Sequence, residues 1–244
     1  MFYLFNLCYN YYGDFMVKIG IPLRYSHLED GRCILYLGEK IRRCFQKAGA
    51  LIIPIVQVQD VNYSDTRYNE FKILSNEEKE EIDKYLDMVD GVVFPGGNKI
   101  TPYDKYLLEK CIDRDIPTLG ICLGMQLMSC YREDFEVFKI ESNINHFQDN
   151  DNYLSHKVTI DKESTLYRIL GLDTISVNSF HKFHCTENKL FNNFSYSEDG
   201  YLEGIEMPNK KFIMGIQWHP EISYDFDENS KKVIDYFINV CKRD

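Results

Sequence analysis

The fold is decided by the stretch Ile116-Pro117-Thr118-Leu119-Gly120-Ile121-Cys122-Leu123-Gly124-Met125-Gln126. Its first six residues form an apolar run of the length of a buried strand, and a helix is predicted over residues 123–131. Cys122 therefore lies on a sharp turn from a strand to a helix, the nucleophile-elbow arrangement. Gly120 and Gly124 have no side chains, so the turn can be tight and a substrate can approach the sulfur.

Partners for a nucleophilic thiol follow far downstream. A free cysteine is usually a buried core residue, but strand-like residues 211–217 lead directly into Trp218-His219-Pro220-Glu221. In an extended segment alternate residues point the same way, so we expect Glu221 to hydrogen-bond to His219 and fix its tautomer while the imidazole faces the thiol. The helix N-terminus behind the sulfur favours the thiolate. The sequence thus predicts a triad of Cys122, His219 and Glu221.

Four motifs occur along the chain in a fixed order. They are Gly-Ile-Cys-Leu-Gly-Met-Gln at 120–126, Val-Asn-Ser-Phe-His at 177–181, Asp-Gly-Tyr-Leu-Glu-Gly-Ile-Glu at 199–206 and Gly-Ile-Gln-Trp-His-Pro-Glu at 215–221. Together they resemble the class I glutamine amidotransferase superfamily, and within it the branch of gamma-glutamyl-gamma-aminobutyrate hydrolase-like enzymes. The resemblance extends from about Val17 to the C-terminus.

The resemblance implies a hydrolase that cleaves a gamma-glutamyl amide through a glutamyl thioester, without a cofactor. It also implies an oxyanion hole built from the backbone N–H groups of Gly97 and Leu123. A glycine suits that position because a backbone donor must approach the substrate carbonyl with no Cβ in the way. The substrate-binding residues implied by the same resemblance are Gln126, Ser179, His181 and Lys182.

Departures from the family pattern leave the leaving amine open. Lys182 and Phe183 stand where a second His and a Gln are usual, Leu123 replaces a basic residue, and residues 133–138 lack an expected glycine pair. The amine is gamma-aminobutyrate by family default, or a nucleotide phosphoramidate as in relatives of capsule synthesis. Lys182 either pairs with an anionic leaving group or is an ordinary surface lysine. A catalytically silent homologue and an ammonia-donating glutaminase subunit are the alternative functions.

Composition narrows the possible partners. The formal net charge of −10 argues against binding to a phosphate backbone, and no apolar segment has the length of a membrane span. Eight cysteines without paired spacing suit a reducing cytosol, so we expect a cytoplasmic protein. The spacings of His146, His156, His181 and His184 match no standard zinc signature, so no metal is predicted. A small-molecule substrate is expected, with a homodimer or a synthetase partner left open.

Apolar runs alternate with amphipathic stretches, which is typical of a parallel sheet covered by helices. We predict one α/β domain over residues 16–244, preceded by an extension at 1–15. Its fold is a three-layer sandwich around a mixed, mainly parallel sheet, and the resemblance implies flavodoxin-like topology. Strands are predicted at 17–22, 51–56, 91–94, 135–140, 156–160, 174–177, 194–196, 201–207 and 211–217. Helices are predicted at 33–48, 76–88 with Ser75 as N-cap, 101–114 and 231–241, and an exposed loop at 59–75.

Overall fold

A computed structural model describes residues 16–57, 73–134 and 136–242, without the side chain of His27. The predicted extension at 1–15 and most of the predicted loop at 59–75 lie outside the described residues. Within them, no helix is long and apolar enough to cross a membrane.

The described residues form thirteen strands and seven helices. The strands are β1 (Val17–Pro22), β2 (Arg24–His27), β3 (Cys33–Tyr36), β4 (Ala50–Ile55), β5 (Gly91–Phe94), β6 (Thr118–Ile121), β7 (Val137–Lys139), β8 (His156–Ile160), β9 (Thr174–Val177), β10 (Phe183–Cys185), β11 (Asn192–Ser197), β12 (Leu202–Glu206) and β13 (Ile213–Ile216). The helices are α1 (Glu39–Lys47), α2 (Asn76–Asp87), α3 (Pro102–Asp113), α4 (Leu123–Ser129), α5 (Thr165–Leu170), α6 (Pro220–Ser223) and α7 (Glu228–Val240).

Nine strands form the central sheet, in the order β4-β1-β5-β6-β13-β12-β11-β8-β9. The first five are parallel to one another. Numbered among themselves in chain order, they run 2-1-3-4-5, which is the flavodoxin-like order. The last four continue the sheet by antiparallel pairing. The predicted α/β fold with a mixed sheet is confirmed, and its parallel block carries the predicted topology.

Helices cover both faces of this sheet. Neighbouring residues of a strand point to opposite faces, and in β5 Val93 packs into one buried cluster while Val92 and Phe94 pack into the other. The first cluster is closed by α1, α5 and α7, and the second by α2, α3 and α4. The predicted three layers therefore correspond to two separate cores on either side of one sheet.

The helix predicted over residues 33–48 is wrong at its beginning. Residues Cys33–Tyr36 form β3, an antiparallel partner of β2, and the helix begins only at Glu39. A turn closes this hairpin, with Gly31 at φ +84° and the N–H of Leu28 bonded to the carbonyl of Arg32 at 2.9 Å. The hairpin forms because its backbone groups pair locally, a signal that apolar periodicity does not carry.

Other boundaries are close to those predicted. The strands β1, β5, β8 and β9 have the predicted bounds, and Ser75 caps α2 with a reciprocal capping box to Glu78. The strand predicted at 135–140 is shorter, Val137–Lys139, and pairs with β10 in a separate two-stranded sheet. Sequence analysis missed β10 and the short helices α5 and α6 altogether.

Candidate active site

Cys122 occupies the turn between the central strand β6 and helix α4. Its backbone has φ 52° and ψ −104°, in a region that residues with a side chain rarely adopt. The N–H of Cys122 donates to the carbonyl of Ile216 on the neighbouring strand β13 at 2.9 Å, and its carbonyl accepts from Gln126. Strain of this kind, held in place by surrounding hydrogen bonds, is characteristic of functional turns.

Two glycines make this turn possible. A Cβ on Gly124 would lie 2.3 Å from the carbonyl oxygen of Phe94 on β5. A Cβ on Gly120 would lie 2.7 Å from the backbone of Gly124 itself. Contacts this short with backbone atoms cannot be relieved by moving a side chain, so helix α4 packs against β5 and β6 only when both residues are glycine.

His219 and Glu221 form the predicted hydrogen bond, although not through an extended segment. His219 is the N-cap of α6, so Glu221 lies in the first turn of that short helix. The helix brings the carboxylate back to the ring, and His219 Nδ1 lies 2.7 Å from Glu221 Oε1. A carboxylate only accepts hydrogen bonds, so Nδ1 carries the proton and Nε2 is left for another group.

The imidazole edge and the thiol converge beside Gly96. A Cβ on Gly96 would lie 2.9 Å from His219 Cε1, 3.8 Å from its Nε2 and 3.7 Å from Cys122 Cβ. Burial alone would lower the pKa of His219, but the charges of Glu221 and of the Cys122 thiolate outweigh it and hold that pKa well above its usual value. The arrangement therefore favours a protonated His219 beside Cys122.

The other buried cysteines have no comparable surroundings. Burial raises the pKa of Cys111 and of Cys185 to about 12. It also raises the pKa values of Cys44, Cys130 and Cys241. These five side chains are therefore thiols at neutral pH and behave as small apolar residues.

Asn178 holds the backbone of His219 from both sides. Its Oδ1 accepts from the N–H of His219 at 2.8 Å, and its Nδ2 donates to the carbonyl of His219 at 2.7 Å. The ring of Phe180 packs edge-on against the imidazole, with centroids 5.6 Å apart. Both residues belong to the Val-Asn-Ser-Phe-His motif, and no role was predicted for them, because an asparagine next to a strand end gives no sign of the distant backbone it binds.

The two predicted oxyanion donors lie next to each other. A Cβ on Gly97 would lie 3.2 Å from Leu123 Cδ2, so the Gly97 loop packs directly on the first residue of α4. The N–H of Leu123 is the first of the helix and has no intrahelical acceptor. Neither N–H has a hydrogen-bond acceptor among the described residues, which leaves both available to a ligand.

Arg24, which sequence analysis did not single out, fixes the loop that carries Gly97. Its guanidinium donates to the carbonyl of Pro95 at 2.7 Å and to that of Gly96 at 3.3 Å. A buried ion pair of 2.7 Å with Asp104 holds the guanidinium in turn, and Asp104 also caps helix α3. Arginine matches this role because its planar donors bind several acceptors at once. In the sequence it looks like an ordinary arginine after a strand.

Three of the four predicted substrate-binding residues are buried neighbours that bond to shared carbonyls: Gln126 and His181 to that of Phe183, and Ser179 and His181 to that of His146. Gln126 is buried and donates to the carbonyl of Phe183 and to the side chain of Gln217. Ser179 is fully buried, and its hydroxyl donates to the backbone carbonyl of His146. His181 is buried beside Glu203, whereas Lys182 is exposed with its ammonium 4.2 Å from the centroid of the Phe147 ring. Their substrate-binding roles stay predictions.

A cavity of about 270 Å³ opens beside the triad. It is bordered on one side by Gly96, His219 and Glu221, and on the other by β3 and the first turn of α1. The hairpin that replaced the predicted helix thus forms a wall of this cavity. Its lining residues are Arg24, Tyr36, Leu37, Gly38, Glu39, Lys40, Ile41, Pro95, Gly96, His219, Glu221 and Ile222.

The known proteins that this chain resembles in sequence are glutamine amidotransferase-like proteins. The model of the peptidase C26 family matches residues 103–221, a range that contains Cys122, His219 and Glu221. A glutamine amidotransferase-like protein of Rickettsia prowazekii is 30% identical, over 63% of this chain and 78% of that protein. A similarly described protein of Lactococcus lactis is 28% identical, over 68% of this chain and 80% of that protein.

Solved structures agree on the fold. A GMP synthase-like protein of Thermoplasma acidophilum has a TM-score of 0.62 at 18% identity, covering 93% of this chain and 94% of its own. The glutaminase domain of a Trypanosoma brucei CTPS has a TM-score of 0.61 at 15% identity, covering 92% of each chain. The chain belongs to the class I glutamine amidotransferase-like superfamily. Within it, residues 103–221 match the peptidase C26, or gamma-glutamyl hydrolase, family.

The contact between His219 and Glu221 predicts a change in pH dependence. Glu221→Gln keeps the shape but removes the charge that raises the pKa of His219. His219 keeps its proton below the raised pKa and loses it above, so the alkaline fall in kcat/KM should begin at lower pH in this variant. The measurement is kcat/KM for hydrolysis of a gamma-glutamyl amide across the pH range.

Asp225→Asn is the matched control, because Asp225 is an exposed carboxylate that pairs with Lys47. It should leave the alkaline limb where it is. An unchanged limb in Glu221→Gln would show that this carboxylate does not set the proton affinity of the imidazole.

Proposed function

We propose that this protein hydrolyses a gamma-glutamyl amide bond by nucleophilic catalysis at Cys122. The observation that carries the proposal is the convergence, beside Gly96, of the thiol-bearing carbon of Cys122 and the imidazole edge of His219, with Glu221 on the far side of the ring. A thiol on a strained turn, an imidazole and an orienting carboxylate are the parts that acyl transfer through a thioester requires.

The reaction follows from the positions of these groups. The Cys122 thiolate attacks the δ-carbonyl carbon of the glutamyl group, and the C–O bond electrons move onto the oxygen. The N–H groups of Gly97 and Leu123 stabilise this oxyanion. The amide C–N bond breaks as the His219 imidazolium gives its proton to the departing amine, which leaves a glutamyl thioester on the sulfur. His219 then takes a proton from water, which attacks the thioester and releases glutamate.

Arg24 is a positioning residue in this scheme. The carbonyl and N–H of one peptide point in opposite directions because the peptide is planar and trans. Arg24 binds the carbonyl of Gly96, so the N–H of Gly97 in the same peptide faces away from the guanidinium. A fixed donor of this kind stabilises the oxyanion without reorganising during the reaction.

The hydrogen bonds from Arg24 to the carbonyls of Pro95 and Gly96 predict a fall in kcat with little change in KM. Arg24→Lys keeps the charge beside Asp104 but loses the planar set of donors, so kcat should fall by roughly 10- to 100-fold, a part of what losing a whole oxyanion donor costs. KM should change little, because the Gly97 donor binds the oxyanion more strongly than the ground-state carbonyl. Steady-state kinetics at a temperature well below the melting temperature of each variant provide the measurement.

Arg114→Lys controls for the exchange itself, since Arg114 forms a surface ion pair with Asp87, away from the cavity. It should keep the parent kcat. If the activity of Arg24→Lys falls only in proportion to its unfolded fraction, or if only KM changes, Arg24 does not position the Gly97 donor.

The leaving amine is assigned to the cavity beside His219. The amine must lie within hydrogen-bond reach of the group that protonates it, and the cavity borders His219. Lys40 lines the same cavity and pairs with Asp151, whereas Lys182 does not line it. A mixed apolar and charged wall suits a short amine with a polar end, such as gamma-aminobutyrate.

A glutaminase that supplies ammonia to a partner is the second candidate. The likeness to a CTPS glutaminase domain and to a GMP synthase-like protein is a likeness of fold, and the triad geometry fits either chemistry. The stand-alone hydrolase is favoured by the motifs at 177–181, 199–206 and 215–221, which resemble the hydrolase branch. The presence of nucleophile, base and orienting carboxylate in one chain argues against a catalytically silent homologue. A gamma-glutamyl nucleotide phosphoramidate, in place of gamma-glutamyl-gamma-aminobutyrate, is the other candidate substrate of the hydrolase.

The test is glutamate release by the purified chain from a panel of substrates: glutamine, gamma-glutamyl-gamma-aminobutyrate, a neutral gamma-glutamyl alkylamide and a gamma-glutamyl phosphoramidate. The parent should release glutamate from at least one amide without a partner protein. Cys122→Ala and Cys122→Ser should abolish that release while keeping the parent melting temperature, because the nucleophile is gone and the packing is nearly unchanged.

Cys130→Ala is the control for this test, because Cys130 is a buried cysteine at the other end of the same helix. It should retain activity. Near-parent turnover in Cys122→Ala would exclude the mechanism, and hydrolysis of glutamine that requires an added synthetase would favour the second candidate.

A further inference from the structure

Three histidines and a glutamate meet in the antiparallel half of the sheet, away from the triad. We call His146, His156, His181 and Glu203 the histidine–glutamate cluster; each is at most 5% exposed. Glu203 Oε1 lies 3.2 Å from His156 Nε2, 3.4 Å from His181 Nε2 and 3.6 Å from His146 Nδ1. The mechanism proposed above uses none of these side chains.

In His146 and His181, one ring nitrogen faces away from Glu203. The hydrogen-bond partner of this outer nitrogen determines which ring nitrogen carries the proton. His146 Nε2 lies 3.0 Å from a carboxylate oxygen of Asp199, which only accepts hydrogen bonds, so this nitrogen carries the proton. His181 Nδ1 lies 3.1 Å from the carbonyl oxygen of Phe183, which again only accepts. In neutral rings the inner nitrogens, His146 Nδ1 and His181 Nε2, therefore carry no proton, and each presents a lone pair.

These two lone pairs face each other and the same carboxylate. His146 Nδ1 and His181 Nε2 are 3.4 Å apart, and both adjoin Glu203 Oε1. Glu203 Oε2 has no hydrogen-bond partner among the described residues. Acceptors crowded together in a buried site repel one another and forgo hydrogen bonds that water would supply. A cation among them would remove both costs.

The distances match those around a metal ion. Ligands bound at 2.0–2.2 Å in a tetrahedron stand about 3.4 Å from one another, and the three separations here are 3.4, 3.4 and 3.6 Å. A metal-bound histidine typically donates its outer N–H to a carboxylate or a backbone carbonyl, as His146 and His181 do. His156 Nε2 lies 3.2 Å from Glu203 Oε1 and is a neighbour of this carboxylate.

We propose that the histidine–glutamate cluster binds one divalent metal ion of the zinc class, with His146 Nδ1, His181 Nε2 and Glu203 Oε1 as ligands. Imidazole and carboxylate together suit zinc. The ligand side chains are buried, so the role of the ion is structural and it takes no part in the hydrolysis.

The ion would stiffen the support of His219. Glu203 is on β12, and its carbonyl accepts from the N–H of Gln217, two residues before His219. His181 follows Asn178, which binds the backbone of His219. An ion shared by Glu203 and His181 therefore links the two segments that hold the imidazole.

The experiment measures metal content and does not depend on enzymatic activity. The full chain is purified without a metal-affinity step, dialysed against zinc and then against metal-free buffer, and assayed by mass spectrometry of the elements. About one zinc per chain is expected, with a higher melting temperature than for chelator-treated protein. His181→Gln and Glu203→Gln should lose at least nine-tenths of this zinc. His184→Gln should retain it, because His184 is a neighbouring histidine outside the cluster.

Two results would overturn the proposal. If the protein retains no zinc after dialysis, protons and not a metal ion hold the cluster together. If zinc persists in both cluster variants, it binds elsewhere. If the variants do not fold, X-ray absorption of the zinc-loaded parent decides. A shell of nitrogen and oxygen with imidazole scattering is expected, and a sulfur ligand would assign the metal to a cysteine instead.

Discussion

The close approach of helix α4 to strands β5 and β6 is the constraint on which the rest of the site depends. It exists because Gly120 and Gly124 present no Cβ where the carbonyl of Phe94 and the helix backbone meet. Cys122 makes this turn at a positive φ and is followed directly by Leu123, the first residue of α4. In the proposed mechanism the nucleophile and one oxyanion donor, the N–H of Leu123, are thus both placed by one backbone turn.

The remaining groups are brought to that turn by the topology. In a doubly wound sheet, residues at the carboxyl ends of adjacent strands share one edge. Strand β5 ends at the Pro95–Gly97 loop, β6 at Cys122 and β13 just before His219. Each group is then held by a buried partner from another element: Arg24 binds the loop, Asn178 the backbone of His219, and Glu221 its ring. The supports are polar and buried, so removing one leaves its partner unsatisfied.

Local patterns were sufficient for much of the fold and for the residues with chemical character. The elbow, the capping box at Ser75 and the buried strands follow from features a few residues apart, and their positions agree with prediction. The pairing of His219 with Glu221 was predicted correctly but for a wrong reason, because a proline-initiated helix turn rather than a strand brings the two together. Side chains two residues apart share a face in an extended strand. They can also meet when the first of the two residues is a helix N-cap, as His219 is.

Features that depend on distant partners were not visible in the sequence. The β2–β3 hairpin is specified by its pairing, Arg24 by carbonyls that lie 71 and 72 residues away, and the histidine–glutamate cluster by four segments. A zinc signature search tests short spacings and cannot detect a cluster that assembles only when β8, β12 and two loops come together. The substrate-facing residues are equally hard to predict, since the cavity wall beside His219 comes from the hairpin that periodicity misassigned.

The claim that Cys122 is acylated by the glutamyl group is tested most directly by trapping the intermediate. Enzyme mixed with a gamma-glutamyl amide and quenched in acid within the first turnover is digested, and its peptides are analysed by mass spectrometry. The account predicts a glutamyl adduct on the peptide that contains Cys122, which appears with the first released amine and disappears as the substrate is consumed. Turnover with no adduct under these conditions, or an adduct on another cysteine, would contradict it.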